Sequence, residues 1–151
     1  MDGLPVLLLA GPTASGKSAL ALDWAERVGG ELINADSQQL YRDLRVLSAR
    51  PGPADEARAG HHLYGVADAA EAWSVGRWLR TVLPLLRSLQ GQGRPVVVVG
   101  GTGLYFRALT HGLAEIPPVA AEARDAAQRR FEHQGEDAFR RALAAQDPAA
   151  A

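Results

Sequence analysis

The stretch Leu4-Pro-Val-Leu-Leu-Leu-Ala-Gly-Pro-Thr-Ala-Ser-Gly-Lys-Ser18 decides the fold. Its first part, Leu4–Ala10, is a continuous apolar run, the pattern of a central parallel strand buried on both faces. Its second part, Gly11–Ser18, satisfies G-x-x-x-x-G-K-[ST] and is followed by a helical segment reaching about Val28, with Leu20, Trp24 and Val28 at spacing four. A strand, this loop and a helix in that order form the context in which the motif binds phosphate. Glycines let the backbone wrap an anion, and the amides of the loop and of the helix N-terminus point inward with partial positive charge. Lys17 adds a full charge, and the Ser18 hydroxyl is a ligand suited to Mg²⁺. The loop therefore predicts a diphosphate or triphosphate ligand at Gly11, Thr13, Ala14, Ser15, Gly16, Lys17 and Ser18. The loop does not by itself specify ATP.

Working outward, Gly29-Gly30 stops the first helix. Glu31–Asp36 reads as a second strand ending in a carboxylate. Residues 37–66 read as irregular, broken by Pro51, Gly52, Pro53 and Gly60, with a short helix near Asp55–Ala59. Ala72–Gln90 reads as a helix kinked at Pro84. Pro95–Gly101 is a third apolar strand, and Thr102–Thr110 opens another helix. Pro117-Pro118 marks a boundary, and 119–146 reads as two helices parted near Gly135. Strands alternating with helices imply an α/β fold, a doubly wound parallel sheet with helices on both faces. The expected organisation is a core over 1–116 and a helical segment over 117–151.

The composition agrees. The chain has 151 residues, 47% hydrophobic and 22% charged, with a net charge of −1; these are values of a globular protein. No cysteine is present, which excludes a disulfide scaffold, a thiolate zinc site and a cysteine nucleophile. No apolar run approaches the ~18 residues of a membrane helix. The run at 4–10 follows Asp2, not a basic region, so it is not a signal peptide. A cytoplasmic protein with no membrane partner is expected, and a monomer. Fifteen arginines stand against one lysine, and that lysine is Lys17. A compact ammonium is thus used where arginine's planar fork is no equivalent. Between Glu71 and Glu115 there is no acid but five arginines, Arg77, Arg80, Arg87, Arg94 and Arg107. That block reads either as a solvated helix face or as a surface for a polyanion.

Motor and switch NTPases place a metal-binding Asp at the end of a later strand. Here Val96–Val99 runs into Gly100-Gly101-Thr102-Gly103 with no acid. The acid at a strand end is instead Asp36. In such sheets ligands lie beyond the C-terminal ends of the strands. Asp36, the phosphate loop and the 100–103 turn should therefore meet at one cleft. There Asp36 can act as general base, ligate a metal indirectly, or merely cap a turn. Ser37, Gln38 and Gln39 suit hydrogen bonding to a base edge or sugar, or an ordinary loop. Thr102 suits a helix N-cap or a substrate contact. Tyr41 and Tyr105 are read as packing residues. Adjacent His61 and His62 point apart in extended chain, so a structural role is expected for them and not a metal pair.

These pieces, taken together, resemble the tRNA dimethylallyltransferases, also called tRNA isopentenyltransferases. The resemblance rests on GPTASGKS at 11–18, INADSQQLYRDL at 33–44, SARP at 48–51, HHLYGV at 61–66, WSVGRWLR at 73–80 and VVVVGGTGLYFRALTHGLAEIPP at 96–118. It covers residues 5–118 and continues more weakly to the end. Many families share the phosphate loop. The loop combined with the D-S-x-x-x-Y element and G-G-T-G-L-Y is specific. Ser48-Ala49-Arg50 stands where the family commonly has Thr-Ala-Lys or Thr-Ala-Arg.

The resemblance implies a P-loop NTPase-like fold and a prenyl transfer. A dimethylallyl group moves from dimethylallyl diphosphate to the exocyclic amine of the adenine next to the tRNA anticodon. Thr13 through Ser18 would bind the diphosphate, with Mg²⁺ at Ser18. Asp36 would accept the amine proton; Ser37, Gln38 and Gln39 would border the tRNA; Thr102 would lie near the target nucleotide. The residues after Pro118 would begin an inserted tRNA-binding helical domain. The tail Asp147–Ala151 offers neither a cap nor a closing strand, so the chain reads as the N-terminal portion of such an enzyme, with apolar strand edges left open. An alternative is an ATP-dependent kinase similar to the shikimate or gluconate kinases, with Arg124, Arg129 and Arg130 as a lid, although no final strand follows. An isopentenyltransferase acting on adenine nucleotides is another, and a binding module that retains diphosphate without turnover is a third.

Overall fold

The computed structural model describes residues 6–114 and 119–150. Four parallel strands, β1 (Val6–Ala10), β2 (Glu31–Asn34), β3 (Gly60–His62) and β4 (Val96–Gly100), form one sheet in the order β1-β4-β2-β3. The helices are α1 (Lys17–Val28), the short α2 (Pro53–Glu56), α3 (Val75–Gly91), α4 (Gly103–His111) and α5 (Ala121–Gln146). The chain divides into two compact units, 1–113 and 114–151. The boundary expected at Pro117-Pro118 lies outside the described residues, as do Leu4 and Pro5.

The period-2 geometry of β4 distributes its valines to two cores. Val97 and Val99 join Leu32 of β2 and pack on Ala21, Leu22 and Ala25 of α1. Val96 and Val98 face the other way with Ile33, against Trp78, Val82, Leu86 and Leu89 of α3 and Tyr105 of α4. Helices therefore cover both faces, as the strand order predicts. Three details differ from expectation. The spacing-four set of α1 is not its core face: Leu20 and Val28 are exposed, and small residues let the helix sit close to the sheet. β1 is an edge strand here, paired to β4 alone, with Leu7 and Leu8 exposed. The double burial expected for it is not present among the described residues, and its apolar edge is open. The third strand of the chain is β3, within the segment read as irregular. Its three residues, Gly-His-His, carry no apolar pattern and gain their place by pairing with β2.

Of the two interruptions expected in helices, the one at Gly135 is present, while α3 is a continuous helix across Pro84. The α3 helix runs through Pro84 without a break, and Ser74 caps it by accepting from the Arg77 amide. The α5 helix is interrupted at Gly135, whose φ of 75° and ψ of 169° are not helical.

At the amino end of the sheet, Glu31 is only 7% exposed. Arg94 Nε donates to its Oε1 at 2.9 Å, and His62 Nε2 lies 2.9 Å from its Oε2. Burial opposes its charge, but the hydrogen bonds from Arg94 and His62 outweigh this and hold its carboxyl below the usual range. Its stabilising effect is thus complete above the unfolded value of about 4.3 and is lost as pH falls through the lower folded value. Urea melts of the native chain and Glu31→Gln at stepped pH should show a stability gap at neutral pH that closes as pH falls through that lower folded value. A gap independent of pH would refute this assignment.

Candidate functional site

The phosphate loop leaves β1 at Ala10 and enters α1 at Lys17. Gly11 donates its amide to the Gly100 carbonyl, fastening the loop to the end of β4. The N-cap residue, Gly16, has φ of 82°, a left-handed conformation that glycine adopts without strain. No side chain caps α1, and no acid stands in its first turn. The first-turn amides are therefore free for a ligand, and the helix dipole presents its positive end there. Lys17 Nζ donates to the Pro12 carbonyl at 3.0 Å, so the ammonium is folded back over the loop.

Asp36 follows β2. Its amide donates to Asn34 Oδ1 at 2.8 Å, and its own Oδ1 accepts from the Gln38 amide at 2.9 Å. Asn34 is fully buried and donates through Nδ2 to the carbonyls of Asp36 and Leu63. Trp78 Nε1 closes the support by donating to the Asn34 carbonyl at 3.0 Å. One Asp36 oxygen is thus held by the turn and the other is left to act.

The end of β4 lies close against this turn. A Cβ on Gly100 would fall 2.1 Å from the carbonyl carbon of Ala35, so only glycine allows the approach. Ala35 in turn donates to the Val99 carbonyl and accepts from the Thr102 amide. Thr102 occupies the N-cap position of α4 but makes no side-chain cap. Its hydroxyl instead accepts from the Ser37 amide at 2.9 Å. Of the two readings open for Thr102, its position is that of a cap while its hydroxyl bridges two strand ends.

A cavity of about 370 Å³ is lined by residues 13–19, Asp36, Gln38, Gln39 and residues 47–49. It unites most of the residues singled out from sequence: Thr13, Ala14, Ser15, Gly16, Lys17, Ser18, Asp36, Gln38 and Gln39. Gly11, Ser37 and Thr102 are not in its lining; they brace it. Leu47, Ser48 and Ala49 were not singled out as site residues, although they adjoin or lie within the SARP motif. Gln39 holds this strap by donating from Nε2 to the Ser48 carbonyl at 2.9 Å.

Among the described residues no group of three or more His, Asp or Glu could hold a metal ion unaided. Ser18 lines the cavity, and its hydroxyl is a donor type that fits an oxygen-loving ion such as Mg²⁺ if a ligand's own oxygens complete the shell. His61 and His62 part as expected, His61 Nδ1 to the Ala59 carbonyl and His62 to Glu31. Tyr105 packs buried against Trp78, their ring centroids 4.4 Å apart, and Tyr41 donates its hydroxyl to the Glu71 carbonyl. The arginine block is not one surface. Arg94 serves Glu31 at the end of the sheet away from Asp36, and Arg77 pairs with Glu71 and lies over Trp73. Arg80, Arg87 and Arg107 are exposed. No described helix is long and apolar enough to cross a membrane.

Known proteins place this arrangement. A family model for isopentenyl transferases matches residues 4–64. The chain is 64% identical over 146 residues to a tRNA dimethylallyltransferase of Phenylobacterium zucineum (strain HLK1), covering 97% of this chain and 48% of that protein. It is 55% identical over 150 residues to one of Caulobacter sp. (strain K31), covering 99% and 48%. The chain thus spans about half the length of the curated relatives it matches. Among solved structures, the full-length tRNA isopentenylpyrophosphate transferase of Bacillus halodurans superposes with a TM-score of 0.70 at 30% identity, covering 96% of this chain and 48% of that one. A eukaryotic dimethylallyltransferase acting on tRNA superposes at 0.79 with 24% identity, over 95% and 36%, a likeness of fold. These matches do not favour the kinase alternative. A second family model, for IPP transferases, covers residues 39–151, three-quarters of the sequence; with its phosphate loop, Asp36 turn and 100–103 turn assembled as above, the chain belongs to the IPP transferase family.

Proposed function

We propose that this chain takes part in tRNA modification, transferring a dimethylallyl group from dimethylallyl diphosphate to the exocyclic amine of the adenine next to the anticodon. The observation that carries this reading is the one cavity lined by both the phosphate loop and Asp36. A phosphate cradle facing a general base, with no acid after β4, suits a reaction in which diphosphate is the leaving group. The names of the relatives favour tRNA as acceptor over a free nucleotide.

In this reading the amides of residues 13–18 and the Lys17 ammonium take the diphosphate. Their preorganised charge stabilises it as the carbon–oxygen bond breaks. The Ser18 hydroxyl would hold Mg²⁺, which would supply further positive charge to the departing diphosphate. The adenine amine attacks the allylic carbon, a carbon–nitrogen bond forms, and the amine proton passes to Asp36. Gln38 and Gln39 line the cavity on the acceptor side and suit contacts to the tRNA. Ser37 and Thr102 act from behind, by fixing the two turns to each other. A target base in a single-stranded loop costs less to extrude than one in a duplex. Of the arginine block, Arg80 and Arg107 are candidates for the tRNA backbone. The segment 119–150 would contribute to the tRNA-binding part.

Calorimetric titration with dimethylallyl diphosphate and, separately, ATP, both with Mg²⁺, tests the reading. Tighter binding of the prenyl diphosphate is expected, with Lys17→Ala weakening it on the order of tenfold to a hundredfold, as loss of a charge-assisted contact does. A preference for ATP would overturn it.

A further inference from the structure

Arg50 is the charged member of the Ser48-Ala49-Arg50-Pro51 motif. The three residues before it, Leu47 to Ala49, line the phosphate cavity. Arg50 lines a second cavity, of about 210 Å³, which shares Ser18, Ala19 and Ala49 with the first. Neither the phosphate loop nor the Asp36 turn gives this arginine a role. We propose that the Arg50 guanidinium is a second cation for the diphosphate, closing on it from the strap while Lys17 holds it from the loop. The proposal rests on the diphosphate reading above and deepens it.

Three observations support the assignment. The first is the charge of the site. Lys17 and Asp36 are the charged residues among those lining the phosphate cavity, and their charges cancel. A diphosphate carries more negative charge than the loop's single ammonium neutralises, so a further cation from the protein is wanted beside it. The second is the state of Arg50. Among the described residues its side chain makes no ion pair or hydrogen bond, and its Nε is buried without a partner. Arginine stays protonated, so an unpaired buried donor on a full charge is costly to keep. Its neighbours are committed: Arg45 Nη2 lies 3.6 Å from Glu56, and Arg58 Nη2 donates to Glu26 at 2.6 Å. Asp55 shares the second cavity's wall, yet its Oδ2 accepts from the Gly52 amide and not from Arg50. The third is freedom to turn. Arg50 Nη1 occupies the space that a Cβ on Gly65 would fill. The head therefore rests on bare backbone, and no hydrogen bond is broken when it leaves. A planar fork of donors suits two phosphate oxygens at once.

Calorimetric titration with inorganic diphosphate and Mg²⁺ would compare the native chain, Arg50→Met, Arg50→Lys and Lys17→Ala. Arg50→Met keeps the packing of the stem and removes the charge. It should weaken binding on the order of tenfold to a hundredfold, as loss of a charge-assisted contact does. Arg50→Lys should recover only part of this, because an ammonium keeps the charge and lacks the fork. Urea melts supply a readout that a merely structural arginine would move the other way. The midpoint of Arg50→Met should stay at or above the native one, since no native bond is lost and an unpaired donor is removed. Native-like binding by Arg50→Met would overturn the assignment, and so would weakened binding that comes with a lowered midpoint. If Lys17→Ala weakens binding and Arg50→Met does not, the diphosphate reading stands without Arg50. If the native chain does not bind diphosphate, or Lys17→Ala binds it as the native chain does, the diphosphate reading itself falls and the role of Arg50 with it.

Discussion

Replacing Trp78 with alanine should cost the chain about 3–5 kcal/mol, the range for a large buried aromatic. The native state is worth only about 5–15 kcal/mol in total. Trp78 is fully buried, stacks on Tyr105 with ring planes 11° apart, and packs in the core on the face opposite α1. Its indole N–H is also the donor that Asn34's carbonyl receives. Truncation therefore opens a cavity and removes that donor together, beneath the turn that carries Asp36. Trp78→Phe should keep most of the packing and lose the hydrogen bond, costing less than half as much. Urea denaturation followed by far-UV circular dichroism separates the two. Equal losses in both variants would mean that the hydrogen bond, not the volume, dominates.

The elements legible in the sequence were those whose patterns answer to local physics. Val96–Val99 can only be a strand buried on both sides, and α1 is bounded by a phosphate loop and a glycine pair. Gly135 stands alone in a polar helical stretch and interrupts it. That residues 13–18, Asp36, Gln38 and Gln39 meet at one cavity was readable because the motif and the strand end each carry their own chemistry. What escaped depends on long-range pairing. The β3 strand exists because Gly60 to His62 lie beside β2, a fact that three polar or small residues do not announce. Leu7 and Leu8 look like core and are exposed because no strand flanks β1 on its other side among the described residues. Arg94 was read as part of a block that is either a solvated face or a polyanion surface, and it is committed to a carboxylate 63 residues away in sequence. The roles of Ser37 and Thr102 were open for the same reason: 65 residues separate them, and their contact is what defines both.

Under the proposed prenyl transfer, Asp36→Asn should lower turnover about 10²–10⁴-fold while leaving donor binding unchanged. The substitution is nearly isosteric. Asp36 Oδ1 accepts the Gln38 amide at 2.9 Å, and an asparagine carbonyl oxygen can accept it equally well. The Asn34 contact is made by the backbone amide of residue 36 and does not depend on the side chain. The turn should therefore keep its shape, and the phosphate loop its diphosphate. What disappears is the capacity of the second oxygen to take a proton. An adenine amine is a weak nucleophile whose lone pair is delocalised into the ring, and it must shed a proton as the new bond forms. Single-turnover transfer to an anticodon stem-loop, read beside donor affinity by calorimetry, separates the two effects. Loss of turnover at constant affinity is the signature of a general base. If affinity and turnover fall together, Asp36 serves the donor site, as an indirect metal ligand would. If neither changes, Asp36 is a turn-forming residue only, and the proton must leave by another route.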